Sequence, residues 1–198
     1  RVLFSECYCG AVELGVGLIP GAGGTLRILE NFIDMMWDLR PGPFPPVQKA
    51  FETIGFAKVS MSAEEGFELG YFRKGDLVVL SKDLLLAKAK EEAYKLSENY
   101  KQPEPYDRLI LPGIGGFLAF KSTIENFKKA GKISEYDQYL ATKLAYVLCG
   151  GEKANGIVPL EEQYILDLER ETFLSLAGEE KSQARMEYML KEGKPLRN

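Results

Sequence analysis

Between Pro20 and Gly24 the chain reads Pro-Gly-Ala-Gly-Gly, and a helical pattern opens directly behind it at Thr25. No other stretch constrains the fold as much. Glycine concentrates where a backbone turns sharply or comes close to another group. A helix that starts immediately afterwards offers unpaired N–H groups and positive dipole character to an electron-rich partner. Seven positions before the proline stands Glu13, an acid among Val12, Leu14, Val16, Leu18 and Ile19. The segment reads as a strand with one buried face. Desolvation favours the protonated form of a carboxyl, the condition for giving and taking a proton near neutral pH. A lone glutamate on a strand is otherwise a solvated edge residue, and these residues alone leave both readings open.

Gly15-Val-Gly17 invites a dinucleotide reading, but the fingerprint G-x-G-x-x-G needs glycine where Pro20 stands. A phosphate loop fails as well, because no Gly-Lys-Ser or Gly-Lys-Thr follows the glycines. The second glycine cluster, Leu111-Pro-Gly-Ile-Gly-Gly116, has neither a strand before it nor a lysine after it and reads as a turn in a linker.

Histidine is absent. This excludes a Ser-His-Asp or Cys-His nucleophile, a His-ligated metal and an imidazole acid–base group within the chain. Acid–base chemistry then falls to carboxylates, lysines, tyrosines or cysteines. Three cysteines, two of them in Cys7-Tyr-Cys9, make neither a disulfide framework nor a zinc pattern, so reduced thiols in a cytoplasmic protein and no bound metal are expected. A net charge of −4 with scattered Lys and Arg gives no reason to expect nucleic acid. No apolar run reaches the ~20 residues of a membrane span.

Short strands and turns are expected over residues 1–19. Leu26, Leu29, Ile33, Met36 and Trp37 stripe a first helix. Residues 40–46 carry four prolines and break regular structure, as a stiff surface connection or a peptide-recognition motif. A helix over 48–58 follows, then a capping box at Ser62-Ala-Glu-Glu65, extended segments at 71–72 and 77–80, and an amphipathic helix over 82–98. Residues 99–112 read as a linker. Helices over 117–130, from Ser134 to Gly150, through Tyr164–Leu176 and over 180–191 complete the chain. The expected division is an α/β part over 1–100, a linker over 101–116 and a helical appendage over 117–198.

The stretch from Glu13 to Arg27 resembles the second active-site segment of the crotonase (enoyl-CoA hydratase/isomerase) superfamily, in which a catalytic glutamate stands seven residues before a Pro-Gly-x-Gly-Gly-Thr/Ser turn. Phe51 to Gly66 is similar to the helix and Ser-Ala-x-Glu turn that follow there, and Leu77 to Glu98 to the next strand and helix. The segments 144–151, 162–170 and 193–198 resemble a bacterial subgroup that fuses an N-terminal 3-hydroxyacyl-CoA dehydrogenase to a C-terminal enoyl-CoA hydratase region.

The resemblance implies the C-terminal portion of a crotonase-like fold and a fragment of a fatty-acid β-oxidation enzyme that hydrates trans-2-enoyl-CoA to 3-hydroxyacyl-CoA. Glu13 takes the place of one catalytic acid. Pro20, Gly21, Gly23 and Gly24 would shape the wall beside the reacting carbons, and Lys191 and Lys194 would meet CoA phosphates unless they only complement a helix end. Acyl-CoA thioesters are the implied partners. NAD would sit in a separate domain of the parent protein, with no cofactor bound by this chain, and the family's trimeric habit implies a homo-oligomer. In that pattern the first glutamate and the oxyanion hole precede Arg1, so the isolated stretch is expected to be inactive. Enoyl-CoA isomerisation, which needs a single carboxylate, and a non-catalytic oligomerisation or interaction module are the alternatives.

Overall fold

A computed structural model describes all 198 residues, Arg1 to Asn198. Strands are few and short. β1 (Val2–Phe4) pairs in parallel with β4 (Leu77–Val79), Leu3 lying opposite Val78. β2 (Cys9–Gly10) pairs antiparallel with β3 (Val59–Ser60). The rest is helix and turn: α1 (Gly24–Met36), α2 (Phe44–Gly55), α3 (Ala63–Glu68), α4 (Leu85–Glu98), α5 (Gly113–Lys129), α6 (Glu135–Leu148), α7 (Glu162–Ala177) and α8 (Glu180–Glu192). No helix is long and apolar enough to cross a membrane.

Most of the stripes read from the sequence become the core. The amphipathic helix over 82–98 does not, since α4 buries no residue, and Trp37 at the end of the first stripe stays exposed. Leu26 and Leu29 of α1, Val47 and Ile54 of α2, Leu140 and Leu144 of α6, and Ile165 and Leu176 of α7 are all fully buried. They belong to one apolar cluster that continues from Leu3 to Leu176 and draws on both sides of residues 101–116. Within that stretch Leu109 and Leu111 are themselves fully buried. Backbone bonds hold it, the Gly156 N–H donating to the Leu111 carbonyl and the Leu160 N–H to the Leu109 carbonyl. The stretch read as a linker is thus a strap fastened to the core by two apolar anchors before α5 begins.

Four local expectations change. The segment carrying Glu13 is a 3-10 turn, Glu13–Val16, not a strand, because Gly15 and Gly17 let the chain coil; Gly17 ends it at φ +84°. α2 begins inside the proline cluster at Phe44, since proline lacks only an N–H that a first turn leaves unpaired anyway. α5 likewise begins at Gly113, four residues before the expected Phe117. Only glycine fits at that first position, where φ is +60° and a Cβ would clash with the Ala154 carbonyl oxygen. Residues 71–72 are buried but belong to no strand.

Of the two capping boxes read from the sequence, the one at Ser134 forms in full and the one at Ser62 in half. Ser134 Oγ accepts from the Asp137 N–H at 3.0 Å while the Asp137 carboxylate accepts from the Ser134 N–H at 3.0 Å. Ser62 Oγ accepts from the Glu65 N–H, but the Glu65 carboxylate reaches one residue further back, to the Met61 N–H.

Candidate functional site

The glycine turn is shaped by what packs on it. Ala22 and Gly23 adopt positive φ, +54° and +82°. A Cβ on Gly21 would touch the Phe173 ring at 3.3 Å, and one on Gly23 would touch Leu166 at 3.3 Å, so both glycines let α7 approach closely. α7 brings a carboxylate with it. Glu169, 2% exposed, accepts from the Gly23 N–H at Oε1 (2.7 Å) and from the Thr25 N–H at Oε2 (2.9 Å). Thr25 Oγ1 donates to the Pro20 carbonyl at 3.2 Å and ties the turn to the helix. The helix start that the sequence offers to a ligand is thus taken by the chain's own acid, in the charge-assisted arrangement that suits a helix N-terminus.

A cleft of about 460 Å³ lies along this contact, lined by Gly21, Ala22, Gly23, Leu166, Phe173 and neighbours on α7. Pro20, Gly24 and Glu13 are not among its walls. Pro20 is buried, and a Cβ on Gly24 would meet the Pro20 ring at 3.0 Å.

Glu13 sits instead on the 3-10 turn, half-buried, with Oε2 enclosed and no hydrogen-bond partner. Its carbonyl accepts from the Leu18 N–H at 3.0 Å, which closes the turn. On one side Tyr71 anchors the approach: its hydroxyl donates to the Lys58 carbonyl and accepts from the Ala11 N–H at 3.1 Å. Burial raises the Tyr71 phenol above its ordinary range, and the Glu13 charge adds to the rise. An enclosed carboxylate oxygen without a donor is left with an open acceptor position for whatever reaches it.

α8 fixes the other side. Ser182 and Arg185 are fully buried. Ser182 Oγ donates to the Gly17 carbonyl and stands 2.7 Å from the Tyr136 hydroxyl. Arg185 donates to Asp137 Oδ1 at 2.8 Å, to Asn198 Oδ1 at 2.8 Å and to the Leu14 carbonyl at 3.4 Å, with its guanidinium over the Tyr136 ring. One residue thereby links the turn that carries Glu13 to the start of α6 and to Asn198. Burial works against the charge on Asp137, but the Ser134 N–H and the Arg185 and Arg197 guanidiniums outweigh it and hold that carboxyl below the usual range.

Lys191 and Lys194 stand apart. Lys191 is exposed and paired with Glu187 one turn back on α8; Lys194 is exposed beyond the helix end. Neither lines the cleft beside the glycines.

A further acidic group lies on α1. Arg27 donates through one nitrogen to Glu30 Oε2 (2.6 Å) and to Glu162 Oε1 (2.7 Å), while Glu30 Oε1 is buried without a partner. Burial lifts the Glu30 carboxyl to about 7, against the pull of Arg27 and with Glu162 adding to the rise. No group of three or more Cys, Asp or Glu side chains is placed to hold a metal ion. The three thiols are unpaired, and burial pushes Cys149 up to about 12.

Sequence reading missed Glu169, Ser182 and Arg185. For Glu169 a signal was present: it occupies a position of the buried stripe Ile165, Leu168, Thr172, Leu176, where an acid is out of place unless it is paired. For Ser182 and Arg185 the helix pattern gives none, because α8 buries no large apolar residue.

No family model and no solved structure matches the chain. Over 194 residues, 98% of its length, the chain is 44% identical to a probable 3-hydroxyacyl-CoA dehydrogenase of Bacillus subtilis (strain 168), of which it spans 24%.

Proposed function

We propose that this stretch belongs to an enzyme of fatty-acid β-oxidation and forms the C-terminal part of a crotonase-like enoyl-CoA hydratase region, with Glu13 as one of its two acids. The similarity of nearly the whole chain to a protein named as a probable 3-hydroxyacyl-CoA dehydrogenase supports the β-oxidation part of the reading, and the hydratase part rests on the resemblance of Glu13 to Arg27 to the crotonase segment. Such a dehydrogenase oxidises the product that hydration of an enoyl-CoA makes. In this reading NAD belongs to another part of a longer protein, as the resemblance to the fused dehydrogenase–hydratase subgroup implies.

In hydration, water adds to the β-carbon of the trans-2-enoyl thioester and a proton to the α-carbon. The enclosed Oε2 of Glu13 is suited to deliver that proton. A second glutamate would activate the water, and an oxyanion hole would stabilise the thioester enolate, the largest contribution in reactions of this type. Gly21 and Gly23 line the cleft against α7, of which Glu13 is not a wall, so their part in the reading is confined to shaping the turn that follows Glu13. The short pairs β1/β4 and β2/β3 also support a larger core, since a two-stranded sheet is at best marginal by itself.

Incubation of the 198-residue chain with crotonyl-CoA tests the division of labour. The reading predicts no loss of enoyl absorbance; robust turnover would contradict the need for groups elsewhere.

A second reading, an assembly module, rests on the β4–α4 region, where Leu80, Leu84, Leu86 and Leu96 are 60–86% exposed and α4 buries no residue. Concentration-dependent self-association that Leu86→Lys abolishes, together with hydratase activity of the full-length enzyme that survives Glu13→Gln, would favour it.

A further inference from the structure

At the C-terminal end of α1 the chain forms a second cavity, of about 430 Å³, within the range of about 300–1,000 Å³ typical of small-molecule sites. Ile33, Met36 and Trp37 supply one wall, the proline-rich loop of residues 40–46 another, and Arg108 and Ile110 of the strap a third. It lies a helix length away from the glycine turn, and none of its lining residues takes part in the arrangement around Glu13.

The charge on its walls is one-sided. Arg40 and Arg108 line the cavity and no carboxylate does. Arg108 is accounted for: it pairs with Asp34 at 3.3 Å, which also accepts from the Tyr106 hydroxyl at 3.0 Å, and its guanidinium lies 4.7 Å from the Trp37 ring centre. Arg40 is not accounted for. It forms no ion pair, and it holds the left-handed conformation, φ +47° and ψ 51°, which costs a residue with a Cβ about 1–2 kcal/mol. The rest of the surface is apolar and stiff, with three prolines and a Trp37 that remains 41% exposed. Stiff walls reduce the ordering cost of binding.

We infer that this cavity binds a small amphiphilic anion, a carboxylate or phosphate head on an apolar body, the head meeting Arg40 and the body lying against Trp37, Met36 and Ile110. The proline cluster is then the rim of a binding site, not a mere connection.

Trp37 is the single tryptophan of the chain, so its fluorescence reads this cavity alone. Titration of the 198-residue chain with decanoate and with decyl phosphate distinguishes the two heads; decan-1-ol presents the body alone and inorganic phosphate the head alone. Saturable change with at least one of the two amphiphiles, and binding of decanol and phosphate at least tenfold weaker, is expected. Arg40→Asn, which keeps a residue tolerant of the left-handed conformation, should weaken that binding about tenfold or more, and Arg40→Lys should retain most of it. Absence of saturable change with both amphiphiles, equal binding of decanol or phosphate, or an Arg40→Asn chain of undiminished affinity would each overturn the assignment.

Discussion

Glu169 and Gly23 lie 146 residues apart in sequence, yet Glu169 Oε1 accepts a 2.7 Å hydrogen bond from the Gly23 N–H. With the companion bond from Thr25, this carboxylate satisfies the start of α1 and fastens α7 to the glycine turn. Removing it leaves two buried N–H groups bare. Glu169→Ala is expected to cost about 2–4 kcal/mol in urea unfolding, since each bare buried N–H costs about 1–3 kcal/mol. A loss below about 0.5 kcal/mol, the scatter of ordinary surface changes, would show that the contact does not hold the turn.

Gly17 meets α8 in the same way. A Cβ there would lie 2.7 Å from Ser182 Oγ and 2.8 Å from Ser182 Cα, on a residue whose φ is already +84°. Gly17→Ala is therefore expected to destabilise by about 2–3 kcal/mol, conformational penalty and overpacking together. The Cα cannot step aside, so adding Ser182→Ala should not restore stability. Recovery in the double variant, measured by thermal unfolding, would mean that only the hydroxyl was in the way.

Arg185 gathers Leu14, Asp137 and Asn198 around one fully buried guanidinium. Arg185→Met fills similar volume but leaves the Leu14 carbonyl without this donor and Asp137 with Arg197 as its one remaining ion-pair partner beside the Ser134 N–H. A loss of about 3 kcal/mol or more is expected. Faster amide exchange over residues 13–18 should accompany it, since that turn loses its tether. Unchanged exchange there would detach Arg185 from the placement of Glu13.

Glu30 sets a pH dependence. Its folded pKa of about 7 lies above the ordinary carboxyl value near 4.5, so between those values the folded chain binds more protons than the unfolded one. Stability from this group is complete below pH 4.5 and is lost as pH rises through 7. Asp137, held low, acts oppositely, its contribution present above the ordinary aspartate range and lost on acidification. Denaturation midpoints should thus fall between pH 5 and 7.5, and Glu30→Gln should flatten that slope. A slope that persists in Glu30→Gln would place its origin elsewhere.

The helices were legible because burial imposes a period on them: the stripes from Leu26 and Tyr136 are the ones the core uses. The capping box at Ser134 was legible because both partners lie within four residues. What the sequence hid depends on distant partners. Glu169 stands in an apolar stripe, but the N–H groups it serves belong to a turn brought near only by tertiary packing. The strap around Leu109 and Leu111 reads as a linker because prolines precede both, and its burial comes from the backbone of residues 156 and 160. The segment of Glu13 shows apolar alternation, yet Gly15 and Gly17 turn it into a 3-10 coil. The spacing from Glu13 to the glycine turn was plain in the sequence, whereas the clasp of that turn by α7 and the fastening of the Glu13 coil by α8 were not.

Glu13→Gln in the full-length enzyme, assayed for crotonyl-CoA hydration and for NAD-dependent oxidation of 3-hydroxybutyryl-CoA in the same preparation, tests the central claim most directly. Loss of the proton donor predicts a fall in hydration of about 10²–10⁴-fold with oxidation unchanged. Hydration that survives the substitution would remove Glu13 from the chemistry.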